Sequence, residues 1–136
     1  MSALGPHLEQ LAAAVAEATR GRTAWEECVE AGLGAGLAFI AGDHRLAGLL
    51  AEAPGADPSA RVEYDEALIR LAEALRAATA ESPDSDGGQI SIERARLLAG
   101  GLAAHVVGRI RSGEAESLPG DRDLLFRYLR SGSREA

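Results

Sequence analysis

The chain has 136 residues, the length of one domain, and a chain of that size buries about two thirds of its unfolded surface, so it needs no disulfide or metal to fold. A net charge of −7, with every one of its 14 basic residues an arginine, excludes the basic stripe of a nucleic-acid or anionic-membrane surface. One cysteine, Cys28, excludes an internal disulfide and a multi-cysteine zinc site and points to a reducing, cytoplasmic setting.

The remaining bias is toward Ala, Leu, Glu and Arg, all strong helix formers, and aromatic residues make up only 4%. Leu4, Leu8, Leu11, Val15 and Ala18 recur at helical spacing and predict a first helix from about Leu4 to Thr19. Pro6 fits its first turn, and Gly21 ends it. Thr23-Ala-Trp-Glu26 reads as a capping box opening a second helix, whose apolar face is Trp25, Cys28, Val29, Gly32, Leu33, Gly36, Leu37 and Ile40. Gly32 and Gly36 share a face, which suits close packing of another helix. Asp43 is the N-cap expected for a short third helix carrying Leu46, Leu49 and Leu50.

Pro54 and Gly55 break the chain, and Asp57-Pro58 restarts it as N-cap and first helical residue. The fourth helix has Tyr64, Leu68, Leu71 and Leu75 as its stripe, with Val62 and Ile69 as a minor second contact. Residues 81–91 read as a loop, and Ser91 caps a fifth helix that runs to about Arg111 and ends at Gly113. Pro119-Gly120 or Asp121 opens a sixth helix through Leu129, and Gly132 and a polar tail close the chain. No strand-like alternation or long repeat is visible, so the fold class is all-α: one bundle of about six helices over residues 1–136.

The last two helices are each apolar on more than one side. In the fifth, Ala99, Leu102, Val106 and Ile110 form a core stripe, while Gly101, Ala104, His105 and Gly108 form a small-residue face without an obvious partner in the domain. In the sixth, Leu125 and Leu129 lie on one line and Leu124 and Tyr128 on another. A helix apolar on two sides is usually covered on both, so Gly101, Ala104, His105, Gly108, Leu124 and Tyr128 are the expected interface of a twofold homodimer with a four-helix seam.

Three stretches resemble the C-terminal ligand-binding and dimerisation domain of TetR-type transcriptional regulators. They are Ala24 to Pro54 (AWEECVEAGLGAGLAFIAGDHRLAGLLAEAP), the amphipathic helix from Ala60 to Ala80, and Leu97 to Gly132 (LLAGGLAAHVVGRIRSGEAESLPGDRDLLFRYLRSG). The resemblance implies a linking helix at 4–20, a sensing and pairing core at 23–132, and a small-molecule effector. It also implies a DNA-reading helix-turn-helix, to which nothing in this chain corresponds.

A bundle rich in Ala and Gly can leave an apolar cavity between helices. Its expected walls are Trp25, Cys28, Val29, Leu33, Leu68, Leu71, Leu102 and Val106, suited to an apolar or amphipathic molecule. His7, His44 and His105 have no paired ligand spacing, and Glu26, Glu27 and Glu30 lack a Glu-x-x-His partner, so neither a metal, a cofactor nor catalysis is expected. The reading is an effector-sensing, dimerising regulator domain that is not an enzyme. The alternative is a helical adaptor that binds another protein through the small-residue face.

Overall fold

The computed structural model describes residues 3–55, 58–80 and 90–134, and their fold is all-α. Six α-helices follow in order: α1 (Leu4–Thr19), α2 (Trp25–Ala41), α3 (His44–Glu52), α4 (Pro58–Ala80), α5 (Ile92–Arg111) and α6 (Arg122–Arg134). Short 3-10 turns at Ala53–Gly55 and Ala115–Asp121 follow α3 and precede α6. No helix among the described residues is long and apolar enough to cross a membrane.

α1 and α2 form a hairpin because Gly32 and Gly36 admit the side chains of α1. A Cβ on Gly32 would touch Val15 and Thr19 at 3.4 Å, and one on Gly36 would touch Val15 at 3.5 Å. α4 lies along α5 in a second hairpin. α2 touches α1, α3, α4 and α6, so its buried face of Trp25, Val29, Leu33, Leu37 and Ile40 is central to the core. That core is one contiguous cluster reaching from Leu4 to Leu129. Trp25 stacks on Phe126 with ring centroids 6.1 Å apart, which ties the start of α2 to α6.

Two caps follow the sequence. The Asp43 carboxylate accepts the Leu46 N–H at 2.9 Å, and the Ser91 hydroxyl oxygen accepts the Arg94 N–H at 3.1 Å. The left-handed Gly113 (φ 76°) ends α5, with Gly113 N–H to the Ile110 carbonyl and Glu114 N–H to the Arg109 carbonyl, the paired bonds of a Schellman stop. The Asp57 cap and most of the 81–91 loop lie outside the described residues.

Other boundaries are corrected. Thr23 does not cap α2: Ala24 is the N-cap and makes no side-chain cap bond, while Glu26 and Glu27 place negative charge in the first turn. Pro119-Gly120 does not open α6 but lies in the 3-10 turn; the last residue of that turn, Asp121, which is the other expected opening, directly precedes α6 at Arg122. Leu118 explains this, because its fully buried side chain holds the turn against the core. α6 does not end near Leu129 but continues to Arg134; the Gly132 carbonyl accepts from Arg94 at 2.9 Å, and a Cβ on Gly132 would overlap Leu98. The α4 stripe holds, with Leu75 buried and Tyr64, Leu68 and Leu71 half-buried, and Ala60, Ala72 and Thr79 are buried as well; Val62 and Ile69, expected as a minor second contact, are instead exposed.

Candidate interaction face on α5 and α6

The outward side of α5 has one large apolar residue, Leu97, which is 76% exposed. Gly101, Ala104 and Gly108 continue its line along the helix, and all three are exposed. α6 supplies Leu124, 50% exposed, and Tyr128, 37% exposed. The Tyr128 hydroxyl joins the two helices by donating toward the Leu97 and Leu98 carbonyls at 3.2 and 3.1 Å. Partial burial raises the Tyr128 pKa, so the hydroxyl stays a donor. Gly101 is needed for this contact, because a Cβ there would overlap the Tyr128 hydroxyl. At Gly100 and Gly108 the space where a Cβ would sit is open.

At one end of the face, α5 holds the residue that launches α6. Nε2 of His105 lies 2.8 Å from Asp121 Oδ2, and Arg109 Nε donates to the same oxygen at 2.9 Å. Arg109 also meets Glu114 at 2.9 Å. The His105 hydrogen bond, with help from the Arg109 charge, holds the Asp121 pKa below its ordinary value against the opposing effect of burial. A similar clamp lies across the molecule: His7 of α1 sits 3.2 Å from Asp43, the α3 cap. The Leu46 N–H bond, with that of His7, lowers the Asp43 pKa.

The six residues expected at an interface therefore differ in their surroundings. Ala104, Gly108 and Leu124 face solvent. Gly101 is exposed but has the Tyr128 hydroxyl against its Cβ position, and His105 is bonded to Asp121, both within the chain, which corrects the expectation that this side of α5 has no partner in the domain. Sequence spacing missed Asp121 and Arg109. Only the i, i+4 relation of His105 and Arg109 was visible, and their shared acceptor comes from a separate turn.

The eight residues expected around a cavity separate as well. Trp25, Val29, Leu33, Leu102 and Val106 belong to the contiguous core, with Leu71 packed against it. Cys28 is half-buried, and its thiol donates to the Arg22 carbonyl at 3.2 Å. Leu68 instead lines an open depression of about 340 Å³ between α4 and α5, with Asp65, Ile69, Arg96 and Gly100. A second open depression, about 370 Å³, lies beside Ser91, Arg94, Leu97 and Leu98. Among the described residues no group of three or more His, Cys, Asp or Glu side chains could hold a metal ion.

The chain matches no family model, no curated protein and no solved structure.

Proposed function

We propose that the chain is a non-enzymatic helical pairing domain that forms a homodimer through α5 and α6, acting in the cytoplasm as the sensing and pairing half of a TetR-like regulator. The observation that carries the reading is the contiguous apolar face of Leu97, Tyr128 and Leu124 beside Gly101, Ala104 and Gly108. Single exposed leucines are ordinary, whereas a joined apolar patch usually marks an interface. The face is built on two helices fixed to each other by Tyr128 and by the His105–Asp121 pair, so it is presented as a rigid surface. DNA contact would fall to a separate module, since this chain is acidic.

The sensing role rests on the resemblance to the family. Five of its eight expected contacts already fill the core together, so an apolar effector binding among them would push helices apart. By favouring one helix arrangement over another, it would shift the population toward it.

Light scattering across a dilution series tests the pairing. The expected mass is twice 14.1 kDa, falling to the single value when Leu97→Asp and Leu124→Asp are combined, with helix content unchanged. A wild-type chain that stays a folded monomer throughout overturns the reading and leaves the face to a different protein, as in an adaptor.

A further inference from the structure

The outward line of α5 is uneven in a way that fits a second copy of itself. Leu97 is large and in solvent, and Gly101, Ala104 and Gly108 after it are small. Nothing lies within 4 Å of a Cβ position on Gly108, so no contact within the described chain calls for glycine there. Glycine inside a helix nevertheless lowers stability relative to alanine.

Consider a twofold axis perpendicular to α5 and passing beside its outward face, level with the midpoint of Gly101 and Ala104. It runs two α5 helices antiparallel, in the isologous arrangement of a closed dimer. Leu97 of each copy then lies over Gly108 of the other, and Ala104 lies over Gly101 at the edge of the Tyr128 ring. Large meets small twice by symmetry. The same operation matches charge. Glu93 and Arg111 lie on one edge of the α5 line, near its two ends, and both are exposed. The axis sets Glu93 level with position 112 of the second copy, one residue from Arg111 on the same edge and within reach of its long side chain, again twice. Arg111 donates through Nε and Nη2 to the Ala51 carbonyl, and a guanidinium carries further N–H groups for a carboxylate.

We propose that two copies pair α5 against α5 in this register, with Leu97 seated on Gly108 and Glu93 paired with Arg111 across the twofold axis. The proposal rests on the pairing role argued above and specifies its geometry.

A charge swap in the full chain tests it, read as the dimer dissociation constant by sedimentation. Glu93→Arg weakens pairing about tenfold, since two attractive contacts become repulsive. Arg111→Glu does the same, and combining the two restores pairing toward the wild-type value. Gly108→Leu abolishes the dimer while raising the melting temperature of the monomer, which separates lost pairing from lost folding. If the wild type dimerises but the swap gives no rescue, or Gly108→Leu leaves pairing unchanged, this register is overturned and the pairing role stands. A wild type that stays monomeric overturns both.

Discussion

Helices α2 and α5 carry the same compositional oddity and put it to different uses. Each has three glycines in its interior: Gly32, Gly34 and Gly36 in α2, and Gly100, Gly101 and Gly108 in α5. The α2 glycines are covered. Val15, Thr19 and Leu11 of α1 stand over Gly32 and Gly36, and Arg122 stands over Gly34. In α5 only Gly101 has a side chain, Tyr128, against its Cβ position, and it is still exposed, while Gly100 and Gly108 face open space. Close approach within the chain accounts for the glycines of α2. The same economy of side chain on α5 leaves a flat helix surface beside exposed leucines, open to a helix that the described residues do not supply.

Three measurements would break or sharpen this contrast, all on dilute protein so that association does not contribute. The largest difference lies between Leu37 of α2, which is buried, and Leu97 of α5. Leu37→Ala should lower unfolding free energy by about 2–5 kcal/mol, because it opens a cavity in the core. Leu97→Ala should change it by no more than about 0.5 kcal/mol. Equal losses in urea titrations would mean that the α5 face is already covered.

A smaller effect separates the glycines. Gly36→Leu should cost about 1–3 kcal/mol, since the added side chain meets Val15 and Leu11. Gly100→Leu should gain up to about 1 kcal/mol from helix propensity alone. Thermal melts that rank the two the other way would remove the distinction between covered and open glycines.

The smallest effect concerns pH. Asp43 and Asp121 have folded pKa values below 3.8, so each contributes stability that is fully present above its ordinary value. That contribution is lost as pH falls through the lowered values. Asp121→Asn should therefore flatten the fall in stability on acidification below about pH 5, with little change in the α1–α3 clamp of His7 and Asp43. An unchanged acid profile would show that the α5–α6 junction does not depend on this carboxylate.

Much of the fold was legible in the sequence because local signals agreed. Helical spacing in Leu4–Thr19, the Asp43 and Ser91 caps and the Gly113 stop each act over a few residues, so they can be read without knowing what lies across the chain. The α4 stripe of Tyr64, Leu68, Leu71 and Leu75 is legible because large side chains carry the helical spacing, whereas the buried Ala60 and Ala72 give no such signal and Val62 and Ile69 stay in solvent. Of the two openings that the sequence offers for α6, Asp121 stands directly before it, while the local helix signal of Pro119-Gly120 is overruled by burial of Leu118 in the core. The interaction face was half legible. Its apolar doubling was visible, but not that Tyr128 would cover Gly101 or that Asp121 would claim His105.

By itself, the sequence determined the helices, their number and their single-domain, all-α character, because periodicity, capping and propensity are properties of neighbouring residues. Only the tertiary structure decided which glycines are covered, which leucines remain in solvent, and that His105, Arg109 and Asp121 meet. Those outcomes depend on which faces α1, α4 and α6 present to α2 and α5, and that is settled by packing across segments that no local pattern encodes.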